Sequence, residues 1–332
     1  RKFGQCHDDQ VGCPEHCQRS GRLVCLISLG SASRLYLAST TVDYDLDKRF
    51  LALELQNPYD DVTVLRSRRE GINRPDKPLS TLQRIREEKI LRVGYHPDRL
   101  PYSYFNAKDH LVGLDIELMH RLARELEIGI VFVPYQYDTL SLELESGEID
   151  VALGGLPIVP ERMLELGCTE PYQTATIAVV LPDHRRREVQ AWRGEGVPDQ
   201  VSFAVVTEDM ARTVRRRVPT ANVVVIDSVR DYFAGNHEQI DALVMPAESA
   251  AAWNILYPRH IVITPEPIMQ RPVGMAVRLS DTQWLRFLDR WLEFEKLDGS
   301  IDELRVYWVQ GGGTKEKPPR WCVLRDVLGW IP

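Results

Sequence analysis

The chain has 332 residues, 41 basic and 48 acidic, and a formal charge of −7 at neutral pH. That balance speaks against a nucleic-acid surface, which needs a basic footprint, and Arg185-Arg186-Arg187 and Arg215-Arg216-Arg217 read as solvated faces. With 44% hydrophobic residues, the chain is large enough to bury the cores of two α/β lobes and to carry an appendage as well.

Residues 1–89 are expected to be that appendage, an N-terminal extension and linker. The start at Arg1 suggests a fragment or a processed product. Four of the six cysteines, Cys6, Cys13, Cys17 and Cys25, cluster with His7 and His16. The paired Cys-x-x-Cys knuckles of a zinc site are missing, so disulfides or unstructured thiols are expected there and no metal. Cys168 and Cys322 stand alone. Residues 23–39 are apolar, but Arg34 interrupts them and they fall short of the roughly 20 residues that cross a bilayer. The polar leader ahead of them does not look like a secretory signal. A polar linker over 57–80 and a short helix over 80–88 follow.

Residues 91–95 read as an apolar strand. Leu114, Leu118, Leu122 and Leu126 mark one face of a helix over 114–126. A strand over 130–134, a helix from 140 stopped at Gly147, and a strand over 149–153 come next. Strands alternating with helices imply a parallel sheet. Gly154 and Gly155 let the backbone turn at a strand's carboxyl end, where open α/β sheets place ligands. Arg162 sits just beyond, at the expected start of a helix, where a cation needs an anion to compensate it.

A second βαβαβ unit is expected from strands over 201–206, 222–226 and 240–244 and helices over 209–217 and 229–234. Crossover strands near 181–187 and 269–274 would link the two units, and the chain re-enters the first at Met275-Ala276-Val277. A helix over 282–295, with Trp284, Leu285, Leu288, Trp291 and Leu292, closes the first unit, and a last helix spans 301–308. Residues 309–332 form a Gly- and Pro-containing tail. No repeat, phosphate loop or nucleophile elbow occurs, and no cofactor is implied.

Four segments, LRVGYHPDRLPYSYF, LVGLDIELMHRLARELEI, YDTLSLELESGEIDVALGGLPIVPER and EPYQTATIAVVL, resemble in order and spacing the extracytoplasmic solute-binding proteins of the polar amino-acid class. The resemblance covers about residues 90–308. It implies an α/β, type II periplasmic-binding-protein fold with a first lobe of residues 90–183 and 275–308, a second lobe of 184–274, and a two-strand hinge. It also implies a periplasmic or extracytoplasmic binding protein rather than an enzyme, one that closes on a small anionic solute, an amino acid or a carboxylate, for a membrane transporter.

By the same resemblance Arg162 pairs bidentately with the solute's carboxylate, Tyr137 is the aromatic wall beside it, and Tyr102 or Tyr104 lines the cleft. Gly155 and Pro157 belong to the first lobe's ligand face, Asp209 and Glu248 to the second lobe's. Several positions depart from the family pattern. Pro246 stands where an aspartate would hold an ammonium, Thr207-Glu208-Asp209 where a Gly-Ser/Thr pair is usual, Arg99 where an aromatic stacks, and Pro157 where a small hydroxyl bonds the ligand. A carboxylate without an amine is therefore expected to bind better than an amino acid, unless Glu248 or Glu208 takes up the ammonium.

The tail, residues 251–258 and the segment 44–52 resemble solute-binding domains fused behind sodium:dicarboxylate symporter-type membrane domains. Two other classes share the fold. A lyase similar to cyclohexadienyl dehydratase would need an acid in the cleft, with Glu248, Glu208 and Asp209 as candidates, and turnover of prephenate or arogenate would reveal it. The sensing domain of a receptor would need signalling sequence besides.

Overall fold

The computed structural model describes residues 46–67, 80–185, 201–237 and 239–312. The Cys/His cluster, the apolar stretch 23–39, Cys322 and the tail from residue 313 lie outside the described residues. The first lobe opens with Leu46–Leu51 (α1), Val62–Val64 (β1), Thr81–Glu88 (α2) and Ile90–Tyr95 (β2). A small antiparallel sheet of Asp98–Arg99 (β3), Ser103–Phe105 (β4) and Leu111–Val112 (β5) follows. Then come Leu114–Leu126 (α3), Gly129–Pro134 (β6), Leu140–Ser146 (α4), Val151–Pro157 (β7), Pro160–Met163 (α5) and Leu166–Cys168 (β8).

The leucine spacing of α3 buries Leu114, Leu118 and Leu122 together with Ile116, Met119 and Ala123, all at 0% exposure. Truncating one such leucine to alanine costs about 3 kcal/mol. The helix also buries charge. Glu117 accepts hydrogen bonds from the backbone N–H of Gln56 and Asn57 and from the Trp308 indole. Those bonds hold a segment expected to be linker against the lobe. Within that segment β1 adds a parallel edge strand beside β6, and Phe50 and Leu53 join the core. The expectation of a linker over 57–80 is thus corrected for residues 57–67.

The chain then enters Gln173–Pro182 (β9) and builds the second lobe from Ser202–Val205 (β10), Glu208–Arg217 (α6), Asn222–Val225 (β11), Val229–Ala234 (α7), Ala242–Pro246 (β12), Ala247–Leu256 (α8) and His260–Ile263 (β13). It returns along Gln270–Arg278 (β14) and ends in Thr282–Leu297 (α9) and Ser300–Trp308 (α10). Both lobes share one continuous sheet of order β1-β6-β2-β7-β14-β9-β12-β10-β11. The strands β1, β6, β2 and β7 run parallel, as do β12, β10 and β11. Where the lobes join, β9 and β14 pair antiparallel, from Gln173 opposite Val273 to Thr176 opposite Gln270. From Ile177 onward β9 pairs with β12, and its far end with β13. The first passage between lobes therefore lies nearer residue 176 than the expected 181–187, because Leu181 is already zipped into the second sheet opposite Ile261.

Candidate interlobe ligand site

The carboxyl ends of β2 and β7 open toward the second lobe, and the loops that follow them supply the site. Gly154 and Gly155 have φ of +121° and +65°, and both amides donate to Asp115 Oδ2 at 2.8 Å. Asp115 lies in the first turn of α3, fully buried, and its other oxygen accepts from the Tyr172 hydroxyl at 2.6 Å. Burial pushes this carboxyl up to about 6, against the three hydrogen bonds that favour its charged form. A Cβ on Gly155 would lie 2.6 Å from the Tyr102 ring, so glycine is required both for the turn and for this contact. The Gly155 amide, expected on the ligand face, is turned instead to Asp115.

Arg162 lies in the first turn of a helix, as expected, but that helix, α5, is a single four-residue turn, too short for a dipole argument, so its contacts decide. Nη1 donates to the Pro157 carbonyl at 2.6 Å, and Nη2 to Asp209 Oδ2 at 2.9 Å. Asp209 belongs to the first turn of α6, so this ion pair spans the cleft. Its side chains are only 10% and 19% exposed, which leaves it poorly screened. Arg212 stands 3.6 Å from the other Asp209 oxygen. Two more exposed pairs cross between the lobes, Asp98–Arg230 at 2.9 Å and Glu161–Arg216 at 3.9 Å.

Tyr137 forms a wall, with the Arg99 guanidinium 4.6 Å from its ring centroid and the His96 ring stacked at 5.6 Å. Burial, helped by the Arg99 charge, pushes His96 down to about 3 and keeps it neutral. Of the two tyrosines expected near the ligand, Tyr104 packs inward, stacked on Phe50 and bonded to its carbonyl. Tyr102 lies against Gly155, and its phenol is raised by burial and then by the charges of Glu248 and Asp115. In the second lobe Pro246 ends β12 without a polar side chain, and Glu248 follows in the first turn of α8. One Glu248 oxygen accepts the Thr176 amide at 3.3 Å, and burial raises the carboxyl. Glu208 instead pairs with Arg215 of its own helix.

Between the lobes lies a cleft of about 580 Å³ whose walls include His96, Tyr137, Arg162, Glu208, Asp209 and Arg212, a size suited to a small solute. Sequence reasoning missed His96, Asp115 and Gln173. Asp115 carried a usable signal, a carboxylate on the apolar side of a leucine-rich helix; His96 and Gln173 carried none beyond lying in the quoted segments. Among the described residues no three His, Cys, Asp or Glu side chains gather as a metal site, and no helix is long and apolar enough to cross a membrane.

The model of the bacterial extracellular solute-binding proteins, family 3, matches residues 91–311. A cyclohexadienyl dehydratase of Pseudomonas aeruginosa is 25% identical over 242 residues, 70% of this chain and 87% of that protein. The ABC transporter arginine-binding protein 1 of Escherichia coli strain K12 is 22% identical over 228 residues, 67% of this chain and 90% of that protein. Among solved structures, an ancestral amino acid-binding protein described as a precursor of cyclohexadienyl dehydratase superposes with a TM-score of 0.62 at 28% identity, covering 69% of this chain and 100% of the other. The two-lobed α/β architecture is thus the type II periplasmic-binding-protein fold.

Proposed function

Since the chain belongs to the bacterial extracellular solute-binding proteins, family 3, we propose that it closes on a small carboxylate-bearing solute, an amino acid or related acid, and presents it to a membrane transporter. The observation that carries this reading is that Arg162, sunk in the cleft, already holds a carboxylate, that of Asp209 on the opposite lobe. A guanidinium with two parallel donors suits such a group. The solute's carboxylate would take the place of Asp209, which keeps Arg212 as a partner. Contacts to both lobes, complete only in the closed form, then shift the population toward closure. The arginine-binding relative is a transporter component, and this supports a transporter as partner. A symporter-type partner, fused or separate, would account for the character of the tail, most of which lies outside the described residues, and would tether the module to a membrane.

The test is a thermal-shift screen of amino acids and dicarboxylates, since a ligand of the folded state alone raises stability by mass action. Titration of Arg162→Lys with the strongest hit follows. Loss of the two-pronged geometry is expected to weaken binding at least tenfold with the fold intact; an unchanged affinity refutes the anchor.

A second reading rests on Glu248, a half-buried carboxyl whose proton is held more tightly than usual. Such a group is a fitting acid for expelling a hydroxyl as water, and the chain resembles a dehydratase. Turnover of prephenate or arogenate that vanishes in Glu248→Gln would establish this reading over binding alone.

A further inference from the structure

At the junction of the lobes, several polar atoms are shielded from solvent and lack a hydrogen-bond partner: Arg99 Nε and Nη2, the Tyr102 hydroxyl, Gln173 Nε2 and Glu248 Oε2. They come from β3 and the turn after it, from the first crossover and from the start of α8, so both lobes contribute. Two links tie them together. The Glu248 carboxylate is anchored to Thr176, three residues along the strand from Gln173, and its charge is felt at Tyr102. A buried polar group left without a partner is costly, and this cluster lies behind the cleft wall, where Arg99 covers the ring of the cleft-lining Tyr137, so a ligand reaching past that wall would supply the partners.

The chemistry of the set is lopsided. Arg99, Tyr102 and Gln173 offer donors, whereas Glu248 alone offers only an acceptor. Arg162 adds a second cation to the cleft, lining it together with Tyr137, over whose ring the Arg99 guanidinium lies. The complement to two cations and one buried acid is a solute with two anionic groups and one cationic group. Resting on the reading of the cleft as a solute site, we infer that this chain selects an amino dicarboxylate, with one carboxylate on Arg162, the other on Arg99, Tyr102 and Gln173, and the ammonium on Glu248. A basic amino acid would bring its side-chain cation against Arg99. A dicarboxylate without an amine would leave Glu248 facing an anion. This assignment reverses the preference for amine-free acids expected from Pro246, because Glu248, two positions on, carries the acceptor that Pro246 lacks.

The experiment is calorimetric titration of the full chain with L-glutamate, L-glutamine, glutarate and L-arginine, repeated with aspartate, asparagine and succinate in case the cleft prefers the shorter acid. Wild type is expected to bind the amino dicarboxylate at least tenfold more tightly than its amide, its amine-free analogue or arginine. Arg99→Gln should erase the preference over the amide and leave the preference over the amine-free acid. Glu248→Gln should do the reverse, and Tyr102→Phe should weaken the acidic ligand several-fold without altering the amine preference. Melting curves, with Arg99→Lys as a charge-keeping control, guard against misfolding. Tighter binding of arginine or of the amide by wild type overturns the inference, as do ratios unmoved by both variants or no binding of either acid. If some other solute binds and Arg162→Lys weakens it while Arg99→Gln and Glu248→Gln do not, the cleft reading survives and this assignment falls.

Discussion

The two lobes share a topology but bury it to different depths. In the first, β2 is buried at five of its six positions, as expected of a parallel strand covered on both faces. In the second, the central strands β10 and β12 are also buried, at three of four and four of five positions, and the difference lies in the helices, for α3 buries nine of its 13 residues and α6 only Met210, Ala211 and Val214. The first lobe also spends its buried charge on its own frame. Asp115 locks the Gly154-Gly155 turn, and Asp150 accepts the Arg92 amide and pairs with Arg84. The second lobe's carboxylates at Asp209 and Glu248 reach out of it, to Arg162 and to the crossover strand. The difference assigns roles: a stiff platform that fixes geometry, and a lighter lobe that brings charge to it.

The sharpest way to break this contrast is to damage the platform. Gly155→Ala would place a Cβ 2.6 Å from the Tyr102 ring at a φ of +65°. Left-handed strain and overpacking together should cost roughly 3 kcal/mol, read as a lower denaturation midpoint. A comparable Gly235→Ala in the second lobe, where φ is +86° but a Cβ meets nothing within 4 Å, should cost only about 1 kcal/mol of strain. Equal losses at both sites would contradict the idea that the first lobe alone is tightly specified.

Acid provides a second probe. His120 is buried, stacked on Phe132, and accepts the Tyr59 amide at 2.9 Å through Nδ1. Burial, then the Arg124 charge, lowers it to about 4 from an ordinary 6.5. Between those values the unfolded chain binds the extra proton and the folded chain does not, so stability falls as the pH drops from 6.5 to 4. The linkage amounts to about 1.4 kcal/mol per pH unit at most, or roughly 2.6 kcal/mol over the window once partial titration at its ends is allowed for. His96 acts in the same direction, and Asp115, raised to about 6, in the opposite one. Comparing His120→Asn with wild type isolates one contribution. Its unfolding free energy should depend less steeply on pH across that window, and an identical slope would show that His120 titrates alike in both states.

The platform was also the more legible half. Four leucines spaced around α3, the strand end at Tyr95 and the glycine pair mark it locally, because helices and parallel strands covered on both faces leave periodic or continuous apolar runs, although the strand expected over 149–153 in fact runs through the glycines to Pro157. The helix α8 escaped notice since Ala247 to Leu256 is apolar nearly all round and shows no stripe. The strand β1 was hidden in a stretch containing Asn57-Pro58 and the aspartates Asp60 and Asp61, its place set by pairing with β6 rather than by its own pattern. Of the site, Arg162, Tyr137 and Arg99 could be located from their segments. That Arg162 faces Asp209 could not, for the pair joins residues 47 positions apart across the lobes, and no short-range periodicity encodes that approach.

The lighter lobe can be tested by its ties. Asp209→Asn removes the anionic partner of a guanidinium only 10% exposed and leaves that charge short of compensation. Closure without ligand should weaken by roughly 1–2 kcal/mol, allowing for partial solvent access. Small-angle scattering of the ligand-free variant should then show a larger radius of gyration than wild type, and saturating solute should restore the compact profile. Asp98→Asn breaks a cross-lobe pair of similar length whose side chains are 31% and 55% exposed. Water and salt already screen that pair, so its loss should change closure by less than about 1 kcal/mol. The contrast predicts distinct salt responses as well: raising ionic strength from 0.05 to about 0.5 M, where the Debye length shrinks to a few ångströms, should reproduce the small Asp98→Asn change in wild type but not the opening of Asp209→Asn. If salt alone opens wild type as far as Asp209→Asn does, the two pairs are equivalent surface contacts and Arg162–Asp209 is no special tie between the lobes.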